Sequence, residues 1–385
     1  MANQRETERY QNSILDPIYQ NIAFFYEDTE TVVESLHRKK VSRGRYGRYH
    51  NPLWEKVEKR LANLEGAEQG VLFSSGMSAI YHSLMALFEK GSFILAPVQC
   101  YKNTKIIFQD LLSKFGVESE FVSLEDPDLF LEKVYNCREH LDAIFLEIPS
   151  NPHLYFADLE KIRSIIKKDT LIITDTTLAT PINFNPIEWG ADIVIHSCTK
   201  YMGGQGDLMM GCVLGKNGPL DTIRTHRNIT GAVPSSHDTF LLNRSINTLS
   251  LRMEYLNNAG VQLADYLKKH PKVKKVYYPS LEEHPHRHLY DKYVKGYGGL
   301  VTFDIDADKE KVSEFVDLLE HPYMASNFGS PQTLIEHLSV FTYYNLTPEE
   351  RREIHITDGM IRLAIGYTVS IASIINDIDK ALDKI

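Results

Sequence analysis

At 385 residues the chain is long enough for two or three structural regions around a large core. It is 43% hydrophobic and 24% charged, ordinary for a soluble globular protein, and its net charge of −9 speaks against nucleic acid as the main partner. No apolar run approaches the ~20 residues of a membrane span, the stretch Met1 to Asn12 is polar with no apolar signal core, and the four cysteines (Cys100, Cys137, Cys198, Cys212) show neither CxxC spacing nor a disulfide framework, so a reduced cytoplasm is the expected setting.

Residues 1 to about 55 read as an arm. They are polar and aromatic, with a basic cluster His37-Arg38-Lys39-Lys40 and then Arg43, Arg45 and Arg48, a run that taken alone is a solvated loop. Trp54, Val57, Leu61 and Leu64 recur at helical spacing and predict a helix over 53–68. Short apolar runs then alternate with helical segments. Strands are expected at 71–73, 93–96, 120–122, 143–148, 171–174, 193–195 and 211–214, with connecting segments that include 80–88, 104–115 and 159–166. Seven strands alternating with helices imply an α/β unit with a mostly parallel sheet covered on both faces. A long helix follows over about 236–269, in one piece or two. Strands near 273–278, 299–305 and 359–366, with helices near 309–319 and 370–384, read as a smaller C-terminal α+β domain. The division expected is an arm at 1–55, a large domain at 56–245 and a small one at 246–385. Neither a repeat nor a low-complexity segment is present.

Ligands of such sheets bind beyond the carboxyl ends of the strands. Three candidates converge there. Ser74-Ser75-Gly76-Met77 follows a strand and opens a helix, which suits a phosphate, although Ser-Ser-Gly is equally an ordinary N-cap. Asp175 ends the run Leu171-Ile172-Ile173-Thr174; alone it reads as a cap or turn residue, but a buried carboxylate needs a partner, and a pyridinium nitrogen would be one. Lys200, in His196-Ser197-Cys198-Thr199-Lys200-Tyr201, stands between a buried strand and the run Gly203-Gly204-Gln205-Gly206, flanked by hydroxyls. Lysine for a Schiff base, carboxylate for a ring nitrogen and hydroxyl donors for a phosphate are the minimum set for pyridoxal phosphate. Tyr101 follows another strand end, either to stack on a flat ring or as a half-buried aromatic. No metal is expected.

From about residue 15 to the C-terminus the chain resembles the Cys/Met-metabolism pyridoxal-phosphate enzymes: cystathionine γ-synthase, cystathionine γ-lyase, methionine γ-lyase and their relatives. The motifs that carry the resemblance are Ser197-Cys198-Thr199-Lys200-Tyr201 with Gly204 and Asp207, Tyr46-Gly47-Arg48-Tyr49-His50-Asn51-Pro52, Ser75-Gly76-Met77, Pro149-Ser150-Asn151-Pro152, Val276-Tyr277-Tyr278-Pro279 and Ile361-Arg362-Leu363. The resemblance implies fold type I of the pyridoxal-phosphate enzymes, the aspartate-aminotransferase-like architecture. It makes Lys200 the Schiff-base lysine that later moves protons, sets Asp175 against the pyridine nitrogen and stacks Tyr101 on the ring. It gives Gly76, Met77, Ser197 and Thr199 to the phosphate, Asn151 to the phenolic oxygen, and Arg362 to the substrate α-carboxylate. Tyr46 and Arg48 would reach the phosphate of a neighbouring subunit, which implies an obligatory homodimer with shared sites and, as is usual in the family, a homotetramer.

Several positions depart from the family pattern. Its Gly-His-Ser-Asp is here Gly204-Gln205-Gly206-Asp207, and its Tyr-Gly-Gly-Thr is Tyr101-Lys102-Asn103-Thr104. The serine that contacts substrate is Asn327, the Glu-Ser-Leu stretch is Gln332-Thr333-Leu334, and Met-Thr-His is Phe341-Thr342-Tyr343. The expectation is conserved cofactor chemistry with an altered substrate pocket, set beside neutral drift within an ordinary transsulfuration enzyme. The leading activity is γ-elimination or γ-replacement on a homoserine- or cysteine-derived amino acid, of cystathionine γ-synthase or γ-lyase type. The rivals are an enzyme of secondary metabolism acting on an unusual γ-substituted amino acid, cystathionine β-lyase, and a catalytically silent cofactor-binding protein.

Overall fold

The computed structural model describes residues 14–37 and 46–385. The stretch Met1 to Asn12 and the basic positions 38–40, 43 and 45 lie outside the described residues. Seven strands form the first sheet: β1 (Gln69–Phe73), β2 (Phe93–Pro97), β3 (Glu118–Val122), β4 (Ala143–Glu147), β5 (Leu171–Asp175), β6 (Ile193–Ser197) and β7 (Gly211–Gly215), in the order β1-β7-β6-β5-β4-β2-β3. Strands β3, β2, β4, β5 and β6 pair in parallel, and β7 runs antiparallel to both β6 and β1. The interior positions of β4, β5 and β6 are buried Ile, Phe, Leu, Val and Thr, with His196 the one ionisable side chain among them. Such runs are what a parallel sheet covered on both faces requires.

The helices open and close on local chemistry. Pro52–Glu65 starts behind Asn51, whose side chain accepts from Leu53 N–H, and stops at Gly66 with φ +73°. It buries Leu53, Trp54, Val57 and Leu61. The connecting segment expected over 104–115 is built of an α-turn (Lys102–Ile106), a π-turn (Ile107–Leu111) and a 3-10 turn (Leu112–Phe115). There Ser113 Oγ donates back to Gln109 O (2.5 Å), and Gly116 ends the segment in the left-handed region. The long C-terminal helical stretch is two pieces, Ser236–Ser245 and Leu249–Lys269, divided by a 3-10 turn at Ile246–Thr248. Thr248 and Arg252 both donate to Ser245 O, taking the carbonyl that a continuous helix would use.

The second sheet has five strands: β8 (Val273–Tyr277), β9 (Leu300–Ile305), β10 (Tyr323–Met324), β11 (Leu334–His337) and β12 (Met360–Ala364), ordered β10-β11-β12-β9-β8. It pairs antiparallel except for β10 with β11. The helix Ile371–Lys384 buries Ile371, Ile374, Ile378 and Leu382 in the same core. Among the described residues no helix is long and apolar enough to cross a membrane.

Candidate active site

Each central strand of the first sheet ends on a polar residue that is its least buried position at that end: Glu147 on β4, Asp175 on β5, Ser197 on β6. The cleft therefore lies beyond the carboxyl ends, where the alternation of strands and helices placed it. Beside it the helix Gly76–Leu87 begins. Ser75 caps that helix, accepting from Ser78 N–H (3.0 Å). A Cβ on Gly76 would stand 2.7 Å from Ser197 Cβ and 3.0 Å from Ser197 Cα, and one on Gly211 of β7 would stand 2.3 Å from Ser75 O. Two glycines thus let the helix N-terminus press against the end of β6, with its first amides free of intrahelical partners. Thr199 folds back onto the same place, its Oγ1 accepting from Met210 N–H (3.1 Å). Gly76 and Ser197 are thereby in close contact, with Met77 and Thr199 beside them in sequence, at a helix N-terminus of the kind that suits a phosphate.

The cleft floor is acidic. Asp175 Oδ1 accepts from Thr177 N–H (3.0 Å) and from Thr177 Oγ1–H (2.6 Å), and Thr177 Oγ1 in turn accepts from Ser197 N–H (2.8 Å). Burial raises the Asp175 carboxyl above its usual range against the opposing hydrogen bonds from Thr177. Its in-register neighbour Glu147 is raised well above its usual range by burial and then by the Asp175 charge. Glu147 Oε2 accepts from Tyr101 N–H (2.6 Å), so Tyr101 is fixed at the cleft by its backbone while its ring stays exposed (51%). Such an acidic floor fits a cationic aromatic ring, and Tyr101 is free to lie on its face.

Lys200 follows β6. Its Nζ donates to Asn327 Oδ1 and sits 4.8 Å from the centroid of Phe328. Gly329 (φ +76°) completes this contact: a Cβ there would lie 2.7 Å from Lys200 C. Burial lowers the Lys200 amine to about 8, with a further push from the Arg362 charge. Arg252 holds the turn after Lys200 through the carbonyls of Tyr201 and Met202.

Arg362, on β12 of the second sheet, is 6% exposed. One guanidinium arm faces Glu336 Oε2 at 2.5 Å and the other donates to Asn151 Oδ1 at 3.3 Å. Glu336 lies in register with Arg362 on β11 and also accepts from Thr342 Oγ1. The Tyr343 hydroxyl is pushed up to about 12 by burial, against the opposing charge of Arg362. Sequence reasoning did not single out Glu147 or Glu336. Glu147 carried the same signal as Asp175, a carboxylate closing a buried strand. Glu336 carried none, because its partner is set by the β11–β12 register.

Tyr46 and Arg48 are placed differently. Among the described residues, Arg48 donates to Asn228 O and to Tyr49 OH (3.1 Å), its guanidinium lies over the Tyr49 ring (4.5 Å), and Tyr46 is 42% exposed. Arg48 thus engages the end of the helix Pro219–Thr230, while Tyr46 bridges to Ala23 and lies edge-on to Tyr49, and neither bonds the Lys200 cluster among the described residues.

Comparison with known proteins shows the family of the chain. The family model described as Cys/Met metabolism PLP-dependent enzyme matches residues 1–383. A chloroplastic cystathionine gamma-synthase of Nicotiana tabacum is 33% identical over 97% of this chain and 69% of its own length. An L-methionine gamma-lyase of Fusobacterium nucleatum is 34% identical over 96% of this chain and 93% of its own. Among solved structures, a Campylobacter jejuni protein designated an O-acetylhomoserine (thiol)-lyase, which carries pyridoxyl-lysine monophosphate, superposes with a TM-score of 0.87 at 30% identity, covering 97% of this chain and 96% of that one. This chain therefore belongs to the Cys/Met-metabolism family of pyridoxal-phosphate-dependent enzymes.

Proposed function

We propose that the enzyme acts at the γ-carbon of a homoserine- or cysteine-derived amino acid, by elimination or replacement of cystathionine γ-synthase or γ-lyase type. One observation carries this reading. A lysine amine held near neutrality faces an arginine whose guanidinium is already oriented by Asn151 and Glu336. An arginine fork suits the substrate α-carboxylate, and a neutral amine beside it can take the α-proton.

When bound, pyridoxal phosphate stores the electron pair that a departing α-proton leaves behind. The residues of this chain would do the rest. Gly76 and Met77 amides with the Ser197 and Thr199 hydroxyls hold the phosphate. Asp175 keeps the ring nitrogen protonated, Tyr101 covers the ring face, and Asn151 faces the phenolic oxygen. Lys200 would anchor the cofactor and, once released, take the α-proton; removal of a β-proton then lets the γ-substituent leave, with Asn327 accepting from the Lys200 N–H. Tyr46 and Arg48 are read as reaching a neighbouring subunit's phosphate, in a homodimer that pairs into a tetramer.

A second reading, an unusual γ-substituted substrate, is favoured by the aromatic rim of the cleft. Phe328 lies against Lys200, and Phe341 and Tyr344, 42% and 73% exposed, flank Thr342, whose hydroxyl meets that of Ser326 at 3.3 Å. Product mass spectrometry tests both. The purified enzyme with pyridoxal phosphate is offered cystathionine, methionine, homocysteine and O-acyl-homoserines, each with and without cysteine. A γ-derived keto acid or cystathionine supports the leading reading. Pyruvate with homocysteine from cystathionine would show β-elimination instead, and silence on all substrates would point to the second reading.

A further inference from the structure

The buried carboxylate of Glu147 has no part in the roles above, yet it stands at their centre. Its strand β4 runs parallel to β5, with Glu147 and Asp175 as in-register partners, so both side chains leave the same face of the sheet. Glu147 accepts N–H bonds from two different loops: from Tyr101 after β2 (2.6 Å) and from Asn151 after β4 itself. Asn151 in turn accepts from Arg362. One carboxylate therefore ties the ring-stacking turn, the Asn151 turn and, through Asn151, the arginine of the second sheet.

We propose that Glu147 is a positioning residue that forms, with Asp175, a two-carboxylate seat for the cationic ring of the cofactor. The inference rests on reading Asp175 as the ring-nitrogen carboxylate. Among the described residues no lysine or arginine bonds to either carboxylate, which makes the two adjacent groups an unfavourable pair. The described residues that meet them are hydrogen-bond donors and neutral groups: Thr177 on Asp175, the two amides on Glu147, and the Cys100 thiol and Tyr343 hydroxyl, which feel the Glu147 charge. His196 on β6 lies near Asp175, but its Nε2 is engaged by Glu65 at 2.9 Å. A positive ring entering the cleft relieves this repulsion; without one, burial and the mutual charge favour a proton on the pair. Glu147 thereby does two things at once. It fixes the loops that frame the ring, and it makes the site select a ring that carries charge.

The test compares two ligands, pyridoxal phosphate and a carbocyclic analogue with CH in place of the ring nitrogen, binding to wild type, Glu147→Gln and Asp175→Asn. Equilibrium dialysis gives the ratio of the two affinities for each protein. A glutamine still accepts hydrogen bonds, so a purely structural role would change both affinities alike and leave the ratio fixed. The expected result is a ratio at least about tenfold smaller in Glu147→Gln, the lower bound set by one charge within about 12 Å at an effective dielectric of ~20, and smaller again in Asp175→Asn. A ratio lowered by Asp175→Asn but not by Glu147→Gln overturns the role of Glu147 alone. A ratio unmoved by either overturns the ring-nitrogen reading together with it. If Glu147→Gln does not fold, wild type decides. Calorimetry in two buffers of unlike ionisation heat, at a pH where the free ring is protonated, should show more proton release with pyridoxal phosphate than with the analogue. Equal release would overturn the seat.

Discussion

The amine of Lys200 offers a quantitative test. A lysine shifted from 10.5 to about 8 favours its neutral form by about 3 kcal/mol more than a free lysine does. At pH ~7.4 about one Lys200 in five is then neutral, against about one free lysine in a thousand. Capture of pyridoxal phosphate by the apo protein requires the neutral amine. Its rate, followed by growth of the visible band of the lysine-bound cofactor, should therefore rise with pH and level off above an inflection at about 8. Two causes set that value, burial first and the charge of Arg362 second. Arg362→Gln removes the second cause and leaves Glu336 without its cation, so both changes favour the ammonium. The inflection should move up by about one pH unit, with capture at neutral pH slowed about tenfold. A wild-type inflection near that of free lysine, or an Arg362→Gln profile superposing on wild type, would refute the reasoning.

Three further outcomes follow from the same geometry. Lys200→Ala should lose both the cofactor's visible band and turnover. Lys200→Met should stabilise the apo protein by up to about 3 kcal/mol at neutral pH; since the unfolded lysine binds more protons between about 8 and 10.5, wild-type stability climbs with pH through that window and the advantage vanishes above it, as urea midpoints at both ends will show. Gly76→Ala would place a methyl 2.7 Å from Ser197 Cβ, pushing the helix N-terminus off its seat, and should weaken cofactor binding at least ~tenfold by dialysis; unchanged binding would contradict the phosphate cradle. Arg48→Ala should loosen cofactor in the assembled protein, and wild-type monomers that retain cofactor as well as the assembly does would rule out a shared site.

Lys200, Asp175 and the Ser75-Gly76-Met77 turn were legible because polar residues closing buried strands stand out against apolar runs. The first sheet was legible for the same reason, since its central strands β2, β4, β5 and β6 are mostly Ile, Leu, Val, Phe and Ala. β11 was not, because Glu336 and His337 interrupt its apolar pattern, although all four of its residues are buried. β10 is a two-residue exposed strand with no pattern to read. The break at Ile246–Thr248 depends on two donors competing for one carbonyl, which spacing does not reveal. The Asn327–Lys200 contact joins residues 127 apart, and only the docking of the β10–β11 connection onto β6 creates it.

The site draws on both sheets in an uneven way. Lys200, Asp175, Ser197 and the helix N-terminus belong to the first sheet, whereas Arg362, Asn327, Phe341 and Tyr343 sit on strands or connectors of the second. The departures from the family pattern at Asn327, Phe341 and Tyr343 all fall on that second group. On the proposed reading, rewriting the 325–345 stretch would change what the enzyme consumes, while the departures at Lys102-Asn103 and Gln205-Gly206 fall on loops of the first sheet. For engineering, the practical corollary is that this one segment is the natural unit to exchange between relatives with different diets of amino acids.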